Sequence, residues 1–206
     1  MISVIIPTMW KCDRLVQTLH EISSQEMVSE IILIDNTDNT NQLSMPKVQH
    51  ILEGRNTYVN PAWNKGASLA KESLLLVLND DIWFDWRQYL NISEYITKDM
   101  GMVGIGLDCY SQPEQEISLR KISIRPNGYA CSFFIHKEDW RHIDDRLLIY
   151  GGDDYLWKYI DKDHYCIHGL KANGYISKTV NEYVSNDDLR KALDSDKQLI
   201  VEMELC

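Results

Sequence analysis

The 206 residues suit one large domain better than two very small ones, and 44% hydrophobic with 25% charged residues gives enough apolar mass for a packed core. That composition excludes disorder, collagen and coiled coil, and no apolar run approaches the roughly 18 residues of a membrane-spanning helix. The balance of 21 Lys+Arg against 31 Asp+Glu, net −10, argues against a protein that grips nucleic acid mainly through phosphates, and it suits a site that gathers carboxylates around a divalent cation.

Met1 runs straight into the apolar stretch Ile2-Ser3-Val4-Ile5-Ile6, with no basic segment or small-residue cleavage site before it, so no signal peptide is expected. The five cysteines (Cys12, Cys109, Cys131, Cys166, Cys206) are odd in number and never spaced CxxC. They read as reduced thiols of a cytoplasmic protein without a structural zinc site.

In chain order, residues 3–6 predict a buried strand ending at Pro7, and Leu15, Val16, Leu19 and Ile22 predict a helix over about 13–24. Glu30-Ile31-Ile32-Leu33-Ile34 is read as a second run, apolar after Glu30 and ended by the turn-formers from Asp35, as in a parallel strand buried on both faces. A short strand follows at 48–52, a helix from Asn60-Pro61 to about Lys71, and a buried strand at 73–78 that breaks at Asn79-Asp80-Asp81. This βαβ(β)αβ order is a Rossmann-like half over 1–107.

Beyond residue 81 the chain is less regular, and 108–206 is expected to form a mixed-sheet acceptor half. Residues 86–97 predict a helix and 102–107 a strand. Residues 116–124 and 129–136 predict two strands of an antiparallel pair joined around Pro126-Asn127-Gly128. Short helices are expected at 137–143 and 153–161 and a longer one at 187–200. With no linker between the halves, the expectation is one fused α/β domain over 1–206.

In open α/β sheets ligands lie beyond the carboxyl ends of the strands. Those ends carry Pro7-Thr8, Asp35-Asn36-Thr37-Asp38 and Asn79-Asp80-Asp81. No GxGxxG or Walker sequence is present, so dinucleotide and P-loop binding are not expected. A carboxylate-lined rim can still hold a diphosphate through Mg²⁺ or Mn²⁺, which take one or two carboxylates plus phosphate oxygens. Alternate residues leaving a strand point the same way, so Asn79 and Asp81 are expected to face the ligand while Asp80 turns aside.

These residues, in this order, resemble GT-A glycosyltransferases of the family 2 kind. The resemblance covers roughly residues 1–160. Ser3-Val4-Ile5-Ile6-Pro7-Thr8, Arg14 and Glu30-Ile31-Ile32-Leu33-Ile34-Asp35-Asn36 look like the family's opening. Asn56, Ala62, Asn64, Gly66 and Ala70 keep the spacing of its N-x-G-x-x-x-A-x-N-x-G-x-x-x-A segment, with Tyr58 in place of the first glycine, so that a different loop is expected there. Leu76-Val77-Leu78-Asn79-Asp80-Asp81 stands where the family has D-x-D, and Gly151-Gly152-Asp153-Asp154 resembles the segment carrying the catalytic base.

The resemblance implies a metal-dependent, inverting transfer of a sugar from a UDP-, GDP- or TDP-sugar to an acceptor hydroxyl. It implies Asp81 as ligand to Mn²⁺ or Mg²⁺ and Asp154, or by a one-residue shift Asp153, as general base. Asp35 would accept from the base or ribose, and Asn79 would touch the ribose or support the metal shell. Pro7, Thr8, Asn64 and Asp80 complete the nucleotide-sugar site. Arg14 and Lys65 either approach the diphosphate or lie on solvated helix faces. Trp83 and Trp157 are the aromatic candidates for the acceptor. His164 and His168 are the candidates for a second metal ligand. Two readings compete: an inactive GT-A-like binding module, and a nucleotidyltransferase, whose expected glycine-rich basic signature is not found at Pro7-Thr8-Met9-Trp10. The acceptor is open; a hydroxylated DNA base is disfavoured by the charge of −10.

Overall fold

The structure is a computed structural model that describes residues 1–111, 116–174 and 186–205. Its frame is an eight-stranded mixed sheet. In chain order the strands are β1 (Ile2–Thr8), β2 (Val28–Asp35), β3 (Val48–Leu52), β4 (Leu74–Leu78), the two-residue β5 (Ile82–Trp83), β6 (Met100–Ile105), β7 (Ser118–Ile122), β8 (Ser132–His136), β9 (Asp163–His168) and β10 (Asn173–Gly174). The helices are α1 (Leu15–Ser23), α2 (Val59–Leu69), α3 (Trp86–Asn91), α4 (Asp108–Ser111), α5 (Gly152–Tyr159) and α6 (Asp187–Glu202). The sheet order is β3-β2-β1-β4-β8-β6-β9-β7, with β5 and β10 as a separate antiparallel pair. β3, β2, β1 and β4 are mutually parallel, which is the expected Rossmann-like half. β8 runs antiparallel to both β4 and β6, β9 is parallel to β6, and β7 closes the edge antiparallel to β9.

Two apolar layers follow from strand alternation. Val4, Ile6, Ile31, Leu33, Leu76 and Leu78 face α1 and α3 with Leu15, Leu19, Trp86 and Tyr89. Ile5, Ile32, Ile34, Leu75 and Val77 face the other way, onto Ala62 and Trp63 of α2, Leu156 of α5 and Leu199 of α6. Both faces of the central strands are therefore covered, as continuous apolarity requires. Each fully buried aliphatic side chain there contributes about 1.5–3 kcal/mol.

The first strand does not stop at Pro7. Its pairing with β4 ends at Ile5, so a residue without an N–H is tolerated while β1 continues along β2 to the Thr8–Asp35 pair. The expected pairing of 116–124 with 129–136 is not found. β8, Ser-Phe-Phe-Ile-His, is buried at every position and takes a central place between β4 and β6. β7 carries the exposed Arg120 and Lys121 and takes the edge. The helix expected at 137–143 is a single 3-10 turn, Lys137–Asp139, and β9 was not anticipated. The 86–97 helix shortens to α3, capped by Asp85, which accepts from the Gln88 amide at 3.0 Å. Tyr58 holds φ +67°, ψ −177° at the start of α2. Such a backbone is one that L residues rarely adopt, and it costs roughly 1–3 kcal/mol of strain.

Cys12, Cys109, Cys131 and Cys166 are free thiols, and Cys206 lies outside the described residues. Among the described residues no helix is long and apolar enough to cross a membrane.

Candidate functional site

The carboxyl ends of β1, β2 and β4 open into a cleft of about 340 Å³. Its floor is Pro7 and Thr8 from β1, Asn36 after β2, and Asn79, Asp80 and Asp81 after β4. Asn56 and Tyr58, Ile149, and Asn186, Asp188 and Leu189 at the α6 start also line the cleft. Parallel strands ending in register make this convergence: Thr8 lies beside Asp35, and Ile5 beside Val77.

Asp80 turns back toward β1, where it accepts from the Thr8 hydroxyl at 2.6 Å; Thr8 Oγ1 in turn accepts from the Trp10 amide at 2.9 Å. Asn79 and Asp81 flank it, and all three reach the cleft wall. These hard oxygen donors fit a small divalent cation. Among the described residues no group of three or more His, Cys, Asp or Glu side chains converges into a closed cage. So sparse a set suits Mg²⁺ or Mn²⁺, which keep several waters and share phosphate oxygens, better than a metal that needs an all-protein shell.

Asp35 is fully buried beside this floor rather than lining it. Its Oδ1 accepts from the Thr37 amide at 3.0 Å and hydroxyl at 2.6 Å, and its Oδ2 accepts from the Trp10 indole at 2.6 Å. His50 Nε2 lies 3.1 Å from Oδ2, and since His50 Nδ1 accepts from the Leu43 amide, Nε2 is the donor to Asp35. Burial pushes the Asp35 carboxyl up, but the bonds from Thr37, Trp10 and His50 outweigh it and hold it below the usual range.

The second acidic group stands at the start of α5. Arg125 binds both carboxylates: Nη1 donates to Asp153 Oδ2 at 2.6 Å and Nε to Asp154 Oδ1 at 2.6 Å. Burial pushes Asp153 up to about 6, Arg125 opposes this, and Asp154 adds to the rise. Cys131 lies within electrostatic reach of both acidic centres. Burial raises its thiol to about 11, a hydrogen bond with Tyr110 opposes the rise, and Asp81 and Asp153 add to it.

Other expected site residues are placed elsewhere. Arg14 pairs with Glu21 on α1 at 3.1 Å and lies 5.0 Å over the Trp83 ring, because one helical face brings the two charges together. Lys65, 43% exposed, pairs with Glu53. Asn64 is a structural staple, donating to the Ile143 carbonyl at 2.8 Å and accepting from its amide at 2.9 Å. Trp157, half-buried, stacks on His164 at 4.0 Å and edges onto Tyr129 at 5.6 Å, and it does not line the cleft. His164 uses Nδ1 on the Met102 amide and Nε2 on the Trp157 carbonyl, and His168 pairs with Asp108 at 3.3 Å. Neither histidine reaches the cleft wall.

Sequence reasoning missed Lys11, the basic residue of the cleft wall, and Arg125. It also missed the wall from α6. Lys11 follows β1 closely enough to have been found by the same strand-end rule that found Thr8. Arg125 carries no local signal, since its carboxylates are 28 and 29 residues away.

The chain matches the family model described as glycosyl transferase family 2 over residues 3–153. No curated protein sequence matches it. Among solved structures it is similar to Staphylococcus aureus TarS 1–349, at 12% identity over 80% of this chain and 57% of that one, with a TM-score of 0.60. GalNAc-T7, solved with UDP, GalNAc and Mn²⁺, matches at 16% identity over 84% of this chain and 43% of its own, TM-score 0.59. HddC from Yersinia pseudotuberculosis matches at 15% identity over 84% and 93%, TM-score 0.55. TarS 1–349 has also been solved with UDP and with UDP-GlcNAc. The chain spans little more than half of TarS 1–349 and less than half of GalNAc-T7. The fold is GT-A.

Proposed function

This chain belongs to glycosyl transferase family 2, and from that premise we propose that it moves a sugar from a nucleotide-sugar donor to an acceptor hydroxyl with inversion, using a divalent metal. The observation that carries the reading is the cleft at the ends of β1, β2 and β4, where Thr8, Asn79, Asp80 and Asp81 converge. TarS with UDP-GlcNAc and GalNAc-T7 with UDP and Mn²⁺ support the choice of ligand class.

In this mechanism the nucleoside lies over Pro7 and Thr8. Asp35 serves the base once the Trp10 indole releases Oδ2. Asp81, with Asn79, would hold a Mn²⁺ or Mg²⁺ ion whose chemistry is to neutralise charge on the departing diphosphate. Asp154 accepts the proton of the acceptor hydroxyl as its oxygen attacks the anomeric carbon. The bond from that carbon to the diphosphate oxygen breaks on the opposite face, and its electron pair leaves with the nucleotide. Arg125 binds both neighbouring carboxylates, and its charge opposes the burial that pushes Asp153 up.

The test is a donor screen: nucleotide released from UDP-, GDP- and TDP-sugars with Mn²⁺ or Mg²⁺, against the same reactions with chelator. Release from one donor, lost with chelator, is expected. No release and no nucleotide binding under any condition would leave the chain a binding module instead.

A further inference from the structure

Asp196 lies on the apolar stripe of α6, between Leu193 and Leu199, and is completely buried. A carboxylate in that position needs donors, and it has three. Oδ1 accepts from the Leu148 amide at 2.8 Å, and Oδ2 accepts from the Ile149 and Tyr150 amides at 2.6 and 2.8 Å. The carbonyls of the same strap are taken by Asn60 of α2: its amide N–H donates to the Leu148 carbonyl and its Nδ2 to the Tyr150 carbonyl, each at 3.0 Å. The strap is thus gripped from both sides by buried polar groups. Its middle residue, Ile149, lines the nucleotide cleft, and its next residues are Gly151-Gly152-Asp153-Asp154.

The two glycines are explained by the same grip. Gly151 has φ +77°, and a Cβ there would stand 2.7 Å from Ile200 Cγ1 on α6. A Cβ at Gly152 would stand 2.1 Å from Asn60 Oδ1. The approach of the acidic pair is therefore shaped by α2 on one side and α6 on the other, and α6 lies beyond the stretch 3–153 that matches the family.

We infer that Asp196 is a positioning residue for the transfer: by binding the three amides of residues 148–150 it fixes where Asp153 and Asp154 are held, because they follow directly on the strap whose Ile149 lines the cleft. This rests on the reading of that pair as the source of the general base. Asp196 touches neither reacting group. Misplacing a base by about 1 Å is enough to slow a reaction on the order of a hundredfold.

The experiment uses the full chain with Asp196→Ala and Asp196→Asn, the second keeping one acceptor oxygen should the first not fold. Three quantities are read: amide exchange at 148–150, affinity for UDP with Mn²⁺, and nucleotide release from the donor found in the screen. Exchange at these amides should rise at least about tenfold. Turnover should fall roughly 10- to 100-fold while UDP affinity stays within about threefold. In an Asp154→Asn background the Asp196 change should slow turnover no further, because the group it positions is already gone. Wild-type turnover in a folded Asp196 variant with fast-exchanging 148–150 amides would overturn the inference, as would full additivity with Asp154→Asn. If the wild-type chain releases no nucleotide from any donor, the catalytic reading itself falls. Unchanged amide exchange refutes the grip of Asp196 on the strap whether or not turnover is seen.

Discussion

Asp154→Asn separates chemistry from folding because the structure limits its cost to stability. Arg125 keeps its contact with Asp153 at 2.6 Å, and an asparagine oxygen can still accept from Arg125 Nε. Turning one charge-assisted hydrogen bond into an ordinary one costs about 1 kcal/mol. A domain with roughly 5–15 kcal/mol of stability remains folded after that loss. Losing a general base slows the reaction about 10²- to 10⁴-fold, which at about 1.4 kcal/mol per tenfold is roughly 3–6 kcal/mol of barrier. The rate effect should therefore exceed the stability effect several times over. The assay is nucleotide release with the preferred donor, beside calorimetric binding of UDP with Mn²⁺, which should stay near wild type because the base acts on the acceptor. Asp153→Asn should be milder, since that carboxylate is the more buried partner and burial already disfavours its charge. A dead Asp153 variant beside an active Asp154 variant would move the base one residue earlier. Wild-type rates in both would make the pair an anchor for Arg125 and refute the mechanism. A product with retained anomeric configuration, seen by NMR, would refute the single displacement.

Asp81→Ala should abolish the metal dependence of UDP binding, whereas Asp80→Ala should mainly cost about 1 kcal/mol in thermal stability by releasing Thr8; equal UDP affinity with and without Mn²⁺ in both variants and wild type would remove Asp81 from the metal. Asp35→Asn, chosen because alanine would orphan the buried donors of Thr37, Trp10 and His50, should raise the donor KM more than it lowers kcat, and an unchanged KM takes Asp35 out of the nucleoside site. Asp153 titrates near 6 in the folded chain, above its unfolded value, so the folded state binds the extra proton between about pH 4 and 6. Its contribution to stability is present at the acid end and lost as pH rises through about 6, at no more than about 1.4 kcal/mol per pH unit. Urea midpoints across that range should show a smaller fall with rising pH in Asp153→Asn, and identical profiles would contradict the assignment.

The parallel half was legible because its determinants are local. Residues 31–34 and 74–78 are apolar without a break, as a strand covered on both faces requires, and the polar segments that follow them supply Asn36 and Asn79-Asp80-Asp81 to the cleft while Asp35 is buried beside it. The acidic motif of β4 and the acidic pair of α5 could be picked out for the same reason, each being a short stretch with its own chemistry. Strand partners were not legible: β7 and β8 adjoin in sequence, yet burial sends one to the edge and the other to the centre of the sheet. Nor were the fates of individual polar side chains. Arg14, Lys65 and Asn64 have residue types that suit a diphosphate or sugar, but Glu21, Glu53 and Ile143 hold them elsewhere. Arg125 reaches carboxylates 28 and 29 residues on, and Asp196 reaches amides 46 to 48 residues back. A carboxylate on the apolar stripe of a helix is visible in sequence as an exception to the pattern. What compensates its burial is decided by tertiary structure, because the three amides that do so come from another part of the chain.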